Sequence, residues 1–160
     1  MIVGNGDIAS ALNDRFAAIF FASGVSNSQC TDPAEFEREK NKLNSYLLVN
    51  LAACRSVFYF STISVNLVNT PYTKHKKEME ALIRKGAKNY NIIRLGNISW
   101  GTNPNTFVNY LKAHPEAKIR DEWKYMVSKE QLLLITDNLP LVGKNEISIF
   151  GEMKKVKDCL

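Results

Sequence analysis

No apolar run in this chain of 160 residues approaches the about 18 consecutive residues that a membrane-spanning helix needs. Cysteine is sparse. Cys30, Cys54 and Cys159 are odd in number and show no CxxC pair, and the two histidines, His75 and His114, have no companion at metal-ligand spacing. A disulfide framework and a zinc site are thereby excluded from expectation, and the cysteines read as reduced and structural in a cytoplasmic protein. Proline and glycine do not gather into a linker, and neither a repeat nor a low-complexity tract interrupts the chain, so residues 1–160 read as one domain. The opening Met1-Ile2-Val3-Gly4 carries neither a basic leader nor an apolar signal core, so no membrane partner is expected. The net charge of +5 comes from scattered basic residues, apart from clusters at 74–77 and 154–157, and does not indicate nucleic acid.

What the chain does contain is ordinary globular composition, 45% hydrophobic and 23% charged, with short apolar runs alternating with longer amphipathic ones. Met1–Val3 reads as a strand entering a glycine turn, followed by a helix over 7–16 that turns Ile8, Ala11, Leu12 and Phe16 inward. Residues 17–22 form the next strand. Asp32-Pro33 opens a charged helix from Ala34 toward Asn50 or Ala53. Residues 56–61 are a doubly buried strand, 72–85 a helix with Met79, Leu82 and Ile83 inward and Gly86 as its cap, and 91–95 a further strand. Helices over 105–111 and 131–139 and a late strand over 146–150 complete the reading. Continuously apolar strands joined by helices imply a parallel sheet covered on both faces: a three-layer, Rossmann-like, doubly wound α/β fold with a small C-terminal extension.

Three places carry candidate chemistry. Gly4-Asn5-Gly6-Asp7-Ile8-Ala9 is a Gly-x-Gly-x-x-Ala turn between a strand and a helix, where backbone can approach a pyrophosphate closely; a plain tight turn is the alternative. Tyr72 and Lys76 lie four apart and share a helix face, so that an ammonium beside a phenol favours the phenolate. Taken alone, such spacing is commonly a surface coincidence. Ser61 and Thr62 place hydroxyls at the carboxyl edge of the sheet, where ligands of open α/β folds bind, or else cap the loop that follows.

In this order the pieces resemble the extended short-chain dehydrogenase/reductase family, the group of NAD-dependent epimerases and dehydratases. Beyond the glycine turn, Phe21-Ala22-Ser23-Gly24 resembles the strand end beneath the nicotinamide ribose, and Phe60-Ser61-Thr62-Ile63-Ser64-Val65 resembles the family's Ser-Thr strand end. Pro71-Tyr72-Thr73-Lys74-His75-Lys76 with Glu80 is similar to its Pro-Tyr-x-x-x-Lys-x-x-x-Glu helix, and Arg94-Leu95-Gly96-Asn97-Ile98-Ser99-Trp100-Gly101 to its Arg-x-x-Asn-x-x-Gly segment. The tail, Ile149-Phe150-Gly151-Glu152 with Val156, is similar to a late segment of the substrate region.

The resemblance implies Tyr72 as general acid/base, Lys76 as the residue that lowers its pKa and holds ribose hydroxyls, and Thr62 as the hydroxyl that polarises substrate. Asn97 would contact substrate. Gly4, Asn5, Gly6, Asp7, Ile8, Ala22, Ser23, Gly24, Ser61, Tyr72, Lys76 and Leu95 would line an NAD or NADP site. The activity implied is oxidoreductase or epimerase/dehydratase chemistry on a hydroxyl or carbonyl of a small or sugar-like substrate; the alternative is a non-catalytic reduced Rossmann protein for dinucleotide binding or protein interaction. Two strands that the family places before Ala22-Ser23-Gly24, which carry the acidic ribose ligand, are missing, since only residues 13–16 intervene. Asp32 follows the wrong strand for that role, and Asn66 stands where the family has tyrosine. The first strand is then an exposed edge, which suggests a homodimer. His75, His114, Lys74 and Lys77 read as surface groups, with Lys76 turned inward, and Trp100 and Trp123 as packing groups.

Overall fold

The computed structural model describes residues 1–53 and 55–160, without the side chains of 49–53; the expectation for Cys54 lies outside the described residues. Along the chain run β1 (Ile2–Val3), α1 (Asp7–Ala11), β2 (Ala18–Phe21), α2 (Pro33–Ala53), β3 (Ser56–Thr62), α3 (Pro71–Gly86) and β4 (Asn89–Leu95). After them come β5 (Asn97–Ile98), α4 (Phe107–Ala113), β6 (Trp123–Val127), α5 (Lys129–Asn138), β7 (Lys144–Ile149) and β8 (Glu152–Lys155). Five strands form a parallel sheet in the order β1-β2-β3-β4-β7, with Ser61 opposite Arg94 and Thr62 opposite Leu95. A second sheet, β5-β6-β8, is the C-terminal extension expected from the sequence, though its three strands were not foreseen.

The sheet is buried on both faces because its strands are apolar on both: all of Ala18–Phe21 and all of Val57–Phe60 are buried. Alternate residues point to opposite sides. Ile19, Phe21, Val57, Tyr59 and Ile92 pack against Leu43 of α2 and Met79 and Ile83 of α3. Phe20, Phe58, Ile93 and Ile149 pack against Ala11 of α1 and Leu132 of α5. Helices therefore cover both faces, giving the expected three-layer Rossmann-like architecture. α1 and α2 cover opposite faces, so the chain leaves the carboxyl ends of β1 and β2 in opposite directions, at the edge where open α/β sheets receive ligands.

Several expectations need correction. The first helix stops at Ala11, not Phe16, and Phe16 is 97% exposed instead of turned inward. The short link to β2 takes the chain out of the helix early: Ala17 takes φ +62° as it enters β2, and Arg15 reaches across to the carbonyls of Thr136 and Leu139 at the end of α5. Gly86 is the last residue of α3, with Ala87 as cap. Trp123 is 54% exposed under the Lys155 ammonium, whereas Trp100 packs as expected and donates to the Asp7 carbonyl. His75 is buried, at 4% exposure. His114 does lie outside, its ring stacked on Tyr110. Cys30 and Cys159 are free thiols. No helix among the described residues is long and apolar enough to cross a membrane.

As expected, β1 is an edge strand, paired only with β2. Gly4 holds the turn after it at φ +129°, and a Cβ there would stand 2.4 Å from the Ala22 carbonyl oxygen. Gly4→Ala therefore combines a left-handed conformation with a backbone clash; a loss of about 2 kcal/mol in urea-unfolding stability is expected.

Candidate functional site

α3 places the chemistry. Thr70 and Thr73 cap it reciprocally, with Pro71 at its first turn, so its register is fixed from the N-terminus. Its inward stripe then reads Tyr72, His75, Lys76, Met79, Glu80 and Ile83, a helical period in which all but Met79 and Ile83 are charged or titratable. Such groups are tolerated inside only with partners.

The partner is Glu39 of α2, a residue the sequence reading missed. Its carboxylate is wholly buried. Oε1 accepts from Tyr59 OH of β3 at 2.8 Å and from Lys76 Nζ at 3.0 Å. Oε2 accepts from the Val25 backbone N–H at 2.7 Å, lies 2.9 Å from His75 Nε2, and is 3.3 Å from Lys76 Nζ. Lys76 Nζ also donates to Tyr59 OH at 3.2 Å. The Glu39 oxygens and the Tyr59 oxygen thus lie together on one side of the ammonium. The only signal for Glu39 in sequence was an acidic residue on the first turns of a charged helix, indistinguishable from its exposed neighbours Glu35 and Glu37.

Burial works against Glu39 ionisation, but Lys76, His75 and the Val25 amide outweigh it and hold its carboxyl well below the usual range. Burial likewise opposes the Lys76 charge, and Glu39 more than restores it, so Lys76 titrates above an ordinary lysine. Tyr72 is raised above its ordinary value of 10, chiefly by burial, with Lys76 opposing and Glu39 adding to the rise. Lys76 thus favours the phenolate in direction, as its spacing from Tyr72 implies, but burial outweighs it.

Gly4 abuts Ala22, and a Cβ on Gly24 would meet Lys76 Nζ at 2.6 Å, so the two glycine-bearing loops and the α3 pair share one corner of the sheet. Ser23 Oγ accepts from Lys42 at 2.8 Å. At the end of β3, Ser61 Oγ is buried with no hydrogen-bond partner among the described residues, and Thr62 Oγ1 accepts from the Ser64 N–H at 3.2 Å, the capping role weighed as its alternative. Gly6 has nothing within 4 Å of a built Cβ and faces open space. Asn5 is exposed.

Other expected residues are engaged elsewhere. Asp7 accepts from the Thr102 and Asn103 amides, tying a loop onto the start of α1; Ile8 packs against the core, and Leu95 is buried in it. Asn97 donates to the Tyr125 carbonyl at 3.2 Å. Glu80 and Arg94, both within motifs, pair with each other at 2.9 Å and join Arg84 and Glu146 in a structural ion network. Among the described residues no cluster of metal-ligating side chains occurs.

This arrangement is a Rossmann-like α/β fold, the fold also of extended short-chain dehydrogenases and NAD-dependent epimerases. Solved structures bear this out. The chain is similar to UDP-glucuronic acid 4-epimerase from Bacillus cereus in complex with NAD (TM-score 0.67, 15% identity, 96% of this chain on 60% of that one). It is also similar to the Bordetella bronchiseptica enzyme WbmG in complex with NAD (0.64, 15%, 89% on 53%). A third is UDP-glucose 4-epimerase from Thermus thermophilus with NAD (0.63, 11%, 89% on 59%). The chain thus spans somewhat over half of each of these proteins. No protein-family model matches it, and no curated protein matches it in sequence.

Glu39→Gln removes the counter-charge of a buried ammonium, and a loss of about 3 kcal/mol in urea unfolding at neutral pH is expected. Because the folded carboxyl titrates below its ordinary 4.5, its contribution is full above that pH and disappears as pH falls through the lower folded value. The wild type should therefore lose stability to the variant below pH 4.5 and not between 4.5 and 7.

Proposed function

We propose that this protein is an NAD- or NADP-linked oxidoreductase, or an epimerase/dehydratase-type relative, acting on a hydroxyl or carbonyl of a small or sugar-like substrate. The observation that supports it is the convergence, at the carboxyl edge of a parallel sheet, of the Tyr72–Lys76 pair with two glycine loops and an unpartnered buried hydroxyl, Ser61.

On the nicotinamide side the residues fit a dinucleotide: Gly6 leaves room for close approach, and Ser61 Oγ needs a partner. Ala22, Ser23 and Gly24 would lie beneath the ribose. The adenosine side offers less, since β1 is the outermost strand and nothing corresponds to the acidic ribose ligand. When bound, the nicotinamide supplies or takes the hydride. Tyr72, held as a phenol, donates its proton to a substrate oxygen during reduction, and the neighbouring Lys76 ammonium stabilises the phenolate left behind. Thr62 has its oxygen committed to Ser64 N–H but keeps a hydroxyl proton to polarise that same substrate oxygen. Asn97 keeps its amide oxygen for substrate, since only Nδ2 is engaged with Tyr125. The reading includes a homodimer through the free edge of β1, with neither nucleic acid nor membrane as partner.

A second reading, a non-catalytic reduced Rossmann protein, is favoured by one observation: the Lys76 ammonium is already engaged by Glu39 and Tyr59. Calorimetric titration with NADH and NADPH tests the cofactor site that the first reading requires. The first reading expects saturable binding that survives Tyr72→Phe and is lost in Gly6→Val, where the side chain fills the approach. No heat at millimolar nucleotide would overturn it in favour of the second.

A further inference from the structure

Within the reading of Tyr72 as the proton-transfer group, we propose that Glu39 is its positioning residue: it clamps the Lys76 ammonium beside the phenol, offsets its charge, and takes the donors with which Lys76 would otherwise grip a ligand diol.

The geometry carries this. Lys76 Nζ lies 5.7 Å from the Tyr72 ring centre and 5.3 Å from that of Tyr59. Left without a counter-charge, an ammonium buried there would give up its proton, and the phenol would stand beside a neutral amine. Both Glu39 oxygens lie within 3.3 Å of the ammonium, so the phenol sees an ion pair, not a bare charge. Glu39 cannot swing away, because Val25 N–H, Tyr59 OH and His75 anchor it from a loop, β3 and α3, and Phe36 stacks on the His75 ring at 4.5 Å. Gly24 is a second sign of the clamp: a Cβ would meet both Lys76 Nζ, at 2.6 Å, and Glu39 Oε1, at 2.8 Å. The charges that act on Tyr72 are Lys76 of its own helix and Glu39 of α2; Tyr72 in turn acts on Tyr59 of β3, where Glu80 of α3 is also felt, and Arg38 of α2 acts on Lys76. Of these, Glu39 alone touches the lysine with a charge of opposite sign.

The test needs no nucleotide. Ionisation of Lys76 is followed by NMR of isotope-labelled lysine at rising pH, with Lys76→Met as the blank that isolates the Lys76 signal. Folded Glu39→Gln is expected to lose the Lys76 proton at least about one pH unit lower than the wild type, about tenfold less ammonium at a given pH. An unchanged Lys76 titration in the folded variant overturns the proposal. If Glu39→Gln does not fold, Glu39→Asp, which keeps the charge and shortens its reach, carries the same question: Lys76 is expected to titrate lower than in the wild type, and coincident curves overturn the proposal. Failure here leaves the nucleotide titration standing, and absence of nucleotide binding leaves this titration to be read on its own.

Discussion

The carboxylate of Glu39 accepts from a loop amide, a strand phenol and two residues of one helix in a place that water does not reach. None of those groups can shift alone without orphaning a buried charge or dipole, and the cost of doing so is several kcal/mol per ion. The long helix α2, the central strand β3 and α3 are thereby locked in one relative setting. The corner where the glycine loops meet α3 inherits its shape from that lock: Gly24 is close to Lys76 because Lys76 has been drawn to Glu39.

The same interaction reorganises the chemistry that the motifs suggest. A lysine four residues after a tyrosine on one helix face, read by itself, activates the tyrosine. Paired with a carboxylate it does much less, since an ion pair's field falls off faster than that of a lone charge. What remains is a phenol with a stabilising cation within reach, suited to giving a proton. The neighbouring hydroxyls differ in freedom: Thr62 is committed as an acceptor to the turn after β3, whereas Ser61 is sealed without a partner. A buried polar atom in that condition is costly, which singles out the end of β3 as a place where something polar belongs.

The sheet explains why so small a chain keeps this corner. Its strands follow one another across the sheet from β1 to β4, and a six-residue link, Leu12–Ala17, joins α1 directly to β2. The link is strained at Ala17 and anchored through Arg15 to the end of α5. α1 and α2 nevertheless cover opposite faces of the sheet.

Much of this was legible from residues alone. Continuous apolar runs at 18–21 and 57–60 specify doubly buried strands, Thr70-Pro71 and the spacing of Tyr72, Met79 and Ile83 specify α3 and its face, and the glycine turn lies where local sequence puts it. Those features depend on neighbours a few positions away. The early end of α1, the exposure of Phe16 and Trp123, the small second sheet and the burial of His75 were not legible, because each depends on a residue more than a turn away in the chain. Glu39 and Lys76 lie 37 positions apart, and no local pattern tells a glutamate that will meet a buried lysine from one that will face water. Local periodicity determined which groups face the core; only the tertiary packing decided which charges neutralise one another there, because a buried charge is set by its distance in space to its partner.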